Sequence, residues 1–269
     1  MTEPLRLEIE RNLAVITFNR PQVFNAFTPE LIVRLASAWR EVESNEQVRA
    51  VILTGAGGKA FSVGADLGIL SPLVSGARAA ADDWDRRFLD PATQDQAMLR
   101  NQFNLGKPII AAINGYCFAG ALELMTATDI RIASEDATFA LQEAKWAMVP
   151  ARGALARLPR QIPYCRAMEL MLTSSRFTAA QALQMGLVNH VLPADQVMNK
   201  AREIAATIAE NGPLALRRIK QGVVESAGRT LAEAYQVEDR IFAEVMASAD
   251  ATEGPRAFME KRPPVYKGR

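Results

Sequence analysis

The sequence is poor in the residues that announce a metal centre, a disulfide scaffold or a nucleophile: 269 residues contain two cysteines and one histidine. Cys117 and Cys165 lie far apart, with no CxxC and no Cys/His cluster. That usage suits a reducing cytosol and argues against a disulfide framework or a zinc site, so both are expected as buried free thiols. The lone His190 sits in GLVNHV with no Ser or Cys nucleophile motif, and reads as a structural residue rather than a base. An excess of one charge is lacking too. The formal net charge is +1 with Lys and Arg scattered, which leaves no electrostatic footprint for nucleic acid or an anionic membrane. No apolar run reaches spanning length without a charge, and MTEPLRLEIE has neither the basic start nor the apolar stretch of a signal or transit peptide.

What is present is a chain of 49% hydrophobic and 23% charged residues, the balance of one large or two small soluble domains with a sizeable core. LRLEIE and LAVITFN alternate around Arg11-Asn12 and predict a hairpin. Thr28-Pro29-Glu30 predicts a helix start, running to about Val42. Then come the strand AVILTG, a helix over Asp82 to Leu105, the strand PIIAAI, the turn NGYCFAG, a short helix holding Glu123, and the strand DIRIA. Strands alternating with helices predict an α/β chain with parallel pairing. From Arg152 onward helices dominate: AMELMLTSS, TAAQALQMG, Asp195 to Glu210 and Thr230 to Ser248, interrupted by the strand LVNHVLP. Gly212-Pro213 marks a break among them, and the basic, proline-rich tail KRPPVYKGR is expected to be only partly ordered. Trp39 and Trp146 are expected in the core, Trp84 and Phe88 packing inward from DDWDRRFLD, and Lys145 and Arg166 on the surface.

Two turns carry chemistry. TGAGGKAFSVGADL and NGYCFAGALEL each follow a strand and end at a helix start, where free N–H groups favour developing negative charge. Neither fits GxGxxG or GxxxxGK[ST], so nucleotide phosphates are not their ligand. Within the second turn Glu123 stands among Leu, Ala and Met. A buried carboxylate must be exposed, paired or used. The bland alternative is a capping box opened at Gly120.

Taken in order, NRPQVFNAF, KAFSVGADL, KPIIAAINGYCFAGALEL, DIRIA, FALQEAKWAMVP, TAAQALQMGLVNHV and AFMEKRPP resemble the enoyl-CoA hydratase/isomerase (crotonase) superfamily over nearly the whole chain. The resemblance implies an α/β spiral of ββα units over residues 1–195 and a helical trimerisation region over 196–269, assembling as trimers or hexamers. It implies an acyl-CoA substrate and no further cofactor. It places oxyanion N–H donors on Ala65 and Gly120, and the two acids of a hydratase on Glu123 and Glu143. Gln22, Val23 and Phe24, with Val63, Ala65, Asp66, Leu67 and Gly120, resemble the coenzyme A cradle; Phe258 and Lys261 resemble the C-terminal residues that close over it.

Hydration of a 2-enoyl thioester needs N–H donors for charge on the thioester oxygen, a base for the attacking water and an acid for Cα. Glu123 is expected as the base and Glu143 as the acid, titrating as a coupled pair. One departure stands out: where the family reads PGAGG this chain has Pro150-Ala151-Arg152-Gly153-Ala154. A positive φ at Ala151 would be strained, and Arg152 brings a cation that lowers the acids' pKa values. Hydration is the leading reading. Double-bond isomerisation, which needs one acid, and a non-catalytic acyl-CoA-binding protein stand beside it. The acyl pocket is expected from the segment between Gly68 and Asn104, whose residues spell out no chain length.

Overall fold

A hairpin opens the chain in the computed structural model, which describes residues 3–100 and 105–269. Alternation gives β1 (Leu5–Glu10) and β2 (Leu13–Phe18), paired antiparallel from Leu5 opposite Phe18 to Glu10 opposite Leu13. The Thr28 side chain accepts from Leu31 N–H and Pro29 occupies the first turn, starting α1 (Pro29–Ser44). One face of α1 is buried, and its Trp39 donates Nε1–H to Ala97 O at 3.1 Å.

The next elements repeat a pattern. β3 (Ala50–Gly55) is followed by β4 (Ala60–Ser62) and α2 (Leu67–Val74). After α3 (Asp83–Leu89) and α4 (Pro91–Ala97), β5 (Ile109–Ile113) is followed by β6 (Tyr116–Phe118) and α5 (Gly120–Met125). Then β7 (Ile130–Ser134) is followed by β8 (Thr138–Ala140) and a 3-10 turn over Glu143–Trp146. α6 (Ala154–Gln161), α7 (Tyr164–Thr173), β9 (Phe177–Thr178), α8 (Ala179–Gln184) and β10 (His190–Leu192) complete the layer. The long strands form one sheet in the order β1-β2-β3-β5-β7-β10, parallel after the hairpin; the short ones form a second sheet, β4-β6-β8-β9. Each repeat thus gives one strand to each sheet.

The helical remainder comprises α9 (Ala194–Glu210), α10 (Pro213–Ser226), α11 (Leu231–Met246) and α12 (Ala249–Met259). α9, which spans the expected boundary at residue 195, packs Val197, Ala201 and Ala205 on the outer face of the main sheet against Val15, Ile52, Ala112 and Ile132. α10 and α11 pack on each other. No helix among the described residues is long and apolar enough to cross a membrane.

Four expectations are corrected. The single helix over 82–105 is two, because Asp90 caps a new start, accepting from Ala92 N–H at 3.0 Å, and Pro91 cannot continue the preceding turn; residues 101–104 lie outside the described residues. The tail is tied down rather than loose: Arg262 grips Glu253, whose carboxylate also accepts from Val265 N–H, and Asp250 accepts from Lys267 and Gly268 N–H. Trp146 is 63% exposed because residues 144–149 form a surface loop. Cys165 is also exposed, on the outer side of α7, whose buried residues are Ala167, Leu170 and Met171; Cys117 is buried as expected. Trp39 and Phe88 are core residues and Trp84 packs against them.

One buried cation holds the first helix to the sheet. The Lys107 ammonium donates to Val42 O and Asn45 O, closing the C-terminus of α1 just before β5 begins. Burial lowers its pKa to about 8. In the unfolded chain the group titrates near ~10.4. Between these values the unfolded state binds more protons, so this group adds stability as pH rises through that window. The difference in urea-unfolding stability between wild type and Lys107→Met should therefore move in favour of wild type from pH ~7.5 to ~10. A pH-independent difference would show that the ammonium is not desolvated.

Candidate active site

The short strands β4, β6 and β8 lie side by side and parallel, with Ser62 opposite Cys117, and Phe118 opposite Ala140. Their carboxyl ends therefore open at the same edge of the small sheet, the place where open parallel sheets bind ligands. The turn after β4 carries Ala65, the turn after β6 carries Gly120, and the segment after β8 carries Glu143. Three successive repeats converge on one point.

Gly64 sets how closely the first two turns approach. Its φ is +81°, and a Cβ there would lie 2.9 Å from both Gly120 N and Phe118 O. Opposite it Ala119 holds φ 50° and ψ −128°, a region that strains any residue with a Cβ. Two bonds fix that peptide: Ala119 N–H donates to Ala140 O at 2.8 Å, and Ala119 O accepts from Glu123 N–H at 3.0 Å. Phe27 N–H to Gly64 O and Asp66 N–H to Phe27 O, at 2.7 and 2.9 Å, hold the other turn. The N–H groups of Ala65 and Gly120 donate to no acceptor among the described residues, and Gly120 opens α5, where no intrahelical partner exists. Two adjacent, fixed and unengaged N–H groups are what an oxyanion requires.

Glu123, 3% exposed, projects from α5. It is not a capping box. Its Oε1 accepts from the backbone N–H groups of Arg152, at 2.6 Å, and Ala154, at 3.4 Å, across the chain rather than within its own helix. Burial pushes its pKa up to about 7, against the pull of the Arg152 N–H; the charge of Glu143 pushes the same way, while the Ala154 N–H and the Arg152 guanidinium oppose it. Glu143, at the start of the 3-10 turn, is buried with Oε2 lacking any partner among the described residues. Burial raises its pKa as well, offset in part by its own N–H. The site thus joins two desolvated carboxyls, Glu123 sensing the charge of Glu143, to two N–H donors.

The sequence-expected cradle is brought together in part. Gln22 and Val23 lie in a 3-10 turn ended by Phe24 at φ 53°, and Val63 N–H donates to Phe24 O at 3.2 Å. Asp66, the residue before α2, sits 3.4 Å from Arg20, and Val23, Phe24 and Leu67 present exposed apolar faces. Phe258, 85% exposed at the end of α12, and Lys261 beyond it make no side-chain polar contact among the described residues. The expected strain at Ala151 is absent, since the positive φ falls at Gly153, at 127°.

Asn25 went unread in the sequence. Fully buried at φ 58°, it donates to Ala56 O and Ala60 O at 3.0 and 2.8 Å and accepts from Arg20 N–H, tying the cradle turn to β4. Its one signal is the preference of Asn for left-handed backbone. Ala119 carried none.

Comparison with known proteins finds relatives over nearly the whole chain. The sequence pattern of the enoyl-CoA hydratase/isomerase family matches residues 8–269. An enoyl-CoA hydratase from Mycobacterium tuberculosis is 41% identical over 255 residues, covering 95% of this chain and 93% of that protein. A carnitinyl-CoA dehydratase from Escherichia coli is 36% identical over 273 residues, covering 100% of both. The crystal structure of an enoyl-CoA hydratase from Bacillus anthracis superposes with a TM-score of 0.89 at 35% identity, covering 99% of this chain and 100% of that one.

The approach of the two turns is open to test without any substrate. Gly58 also has positive φ, at +69°, but nothing lies within 4 Å of a Cβ placed there. Gly58→Ala should cost about 1–2 kcal/mol, the left-handed penalty alone. Gly64→Ala should cost at least about 2 kcal/mol more, because the overlapping atoms are backbone or another Cβ and cannot swing away. Equal losses in denaturant titrations would mean that the turns are not in contact.

Proposed function

Because the chain belongs to the enoyl-CoA hydratase/isomerase family and has its crotonase-like α/β fold, we propose that it adds water across the 2,3 double bond of a 2-enoyl-CoA thioester to give the 3-hydroxyacyl-CoA. The observation that carries this reading is the pair of buried carboxyls beside two unengaged N–H groups, since isomerisation needs only one acid. In this mechanism the thioester oxygen accepts from Ala65 and Gly120 N–H. Glu123 takes a proton from water as its oxygen bonds to Cβ; the π electrons move onto the thioester oxygen as an enolate. Glu143 delivers its proton to Cα, and the pair regains its starting state by moving one proton from Glu123 to Glu143.

The electrostatics support this reading, since burial raises the pKa of both carboxyls. Burial raises Glu123 to about 7, and the two backbone donors from Arg152 and Ala154 stabilise its ionised form. The sign follows: the base must be ionised, so kcat/KM should fall as pH drops through about 7.

Substitution separates the readings. Glu123→Gln and Glu143→Gln should each keep the fold and acyl-CoA affinity while lowering hydration kcat by roughly 10²-fold or more. The double variant should lose far less than the product of the two. Loss of thioester absorbance with crotonyl-CoA measures this. A Glu123→Gln protein with wild-type rate would overturn the mechanism, and a Glu143→Gln protein retaining only isomerase activity would transfer the site to the alternative reaction.

We propose further that the protein acts as a trimer or hexamer, with Phe258 and Lys261 closing over coenzyme A. Val223 and Val224 on α10, and Leu231, Tyr235, Phe242 and Met246 on α11, are large apolar side chains exposed in the single chain on two helices that pack on each other, the kind of surface an assembly covers. Light scattering should find three or six chains at micromolar concentration. A stable monomer would remove the assembly.

A further inference from the structure

Arg152 and Arg157 lie within electrostatic reach of Glu123, with Arg100 beside both, and the three are not equally satisfied. Arg157, from α6, donates to Met98 O at 3.3 Å and to Leu99 O. Arg100 donates to Ala151 O at 3.1 Å and lies 3.6 Å from Asp95. The Arg152 guanidinium is half-buried and, among the described residues, makes neither hydrogen bond nor ion pair. It nevertheless lies within electrostatic reach of Glu123, Asp95 and Arg100, and its pKa is lowered, foremost by burial and then by the neighbouring Arg100 charge. The local balance is therefore three guanidinium groups against Asp95 and a carboxyl pair in which burial disfavours ionisation.

A partly desolvated cation facing another cation is unfavourable unless an anion completes the cluster. No carboxylate among the described residues makes a direct ion pair with Arg152, although Glu123 and Asp95 lie within electrostatic reach. Position narrows what can. The backbone N–H of Arg152 sits 2.6 Å from Glu123 Oε1, so its side chain springs from the turn that holds the water-activating carboxyl. Arg100 belongs to the segment between α2 and β5 that meets this turn. Glu123, which meets C3 in the hydratase reading, and Arg152 are therefore neighbours, so a substrate held at the one lies within electrostatic reach of the other.

Resting on the hydratase reading above, we propose that the acyl group this site accepts carries a carboxylate at its far end, received by Arg152 with Arg100 beside it. The substrate class is a 2-enoyl-CoA derived from a dicarboxylic acid. Guanidinium is suited to the task, since its planar fork takes both oxygens of a carboxylate. A neutral chain leaves the cation unpaired, and a cationic chain adds a further like charge.

Binding separates this proposal from the reaction itself. Calorimetric titration at low salt with saturated, unreactive thioesters compares adipyl-CoA, hexanoyl-CoA and 6-aminohexanoyl-CoA. Wild type should bind adipyl-CoA about tenfold or more tightly than hexanoyl-CoA, the scale of one hydrogen-bonded charge pair, and 6-aminohexanoyl-CoA least well. High salt should narrow the gap. Arg152→Gln, which keeps the backbone N–H to Glu123, should close it, and Arg152→Lys should keep part of it. Equal wild-type affinities for adipyl- and hexanoyl-CoA would overturn the proposal, as would an unchanged gap in Arg152→Gln. Hydration is scored separately: a preserved affinity gap without turnover of any 2-enoyl-CoA supports the carboxylate site and removes the hydratase reading. Turnover of neutral and carboxylated substrates with equal kcat/KM and equal affinity does the reverse.

Discussion

Everything chemical in this chain depends on the parallel pairing of three short strands. β4, β6 and β8 have only three residues each, yet their register decides whether Ala65, Gly120 and Glu143 meet. Parallel strands expose their carboxyl ends on one edge, so a repeat that places a functional turn after its short strand places it beside the turn of the next repeat. So short a sheet cannot hold itself together. The longer strands β3, β5 and β7, paired parallel in the main sheet, set the spacing from which the short ones follow. Stability sits in one sheet and geometry in the other.

Holding that geometry means carrying strain. Ala119 adopts a backbone conformation that a glycine would take freely, and it persists because bonds on both sides, to Ala140 O and from Glu123 N–H, over-determine it. One of those bonds starts at the residue whose carboxyl lies in the site, so the peptide that aims the Gly120 N–H and the helix that carries Glu123 are locked together. Displacing either end shifts both donor and acid. Asn25 plays the matching part on the other side, its amide joining the Phe24 turn to the carbonyls around β4.

Much of this was legible in the residues. Hairpin, first helix, buried strands and the order of the turns followed from alternation, caps and glycines, because those signals are local. The misses share a cause. The break at Asp90-Pro91 was a local signal overlooked in favour of continuous helical periodicity. Trp146, Cys165 and the docked tail were misjudged because composition says how apolar or basic a segment is, not which surface is available to cover it. Glu123 was correctly suspect on burial alone, but its partners, the N–H groups of residues 152 and 154, lie some thirty positions away and have no side-chain signature. A carboxylate held by backbone is invisible to any reading that looks for cations.

That invisibility has a consequence for specificity. The two unengaged donors and the clamp on Glu123 are all backbone N–H groups, so side chains at 65, 151 and 152 can change without removing them. PARGA in place of PGAGG illustrates it: Ala151 avoids positive φ, Gly153 takes that conformation instead, and Arg152 still donates its N–H at 2.6 Å. The backbone holds the donors and the carboxyl in place, while the side chain at 152 is free to vary. A guanidinium at such a position is compatible with the acids only because their pKa values are governed first by burial, with its charge a lesser influence on Glu123. The site can therefore acquire a charge preference while burial keeps ionisation of both Glu123 and Glu143 disfavoured.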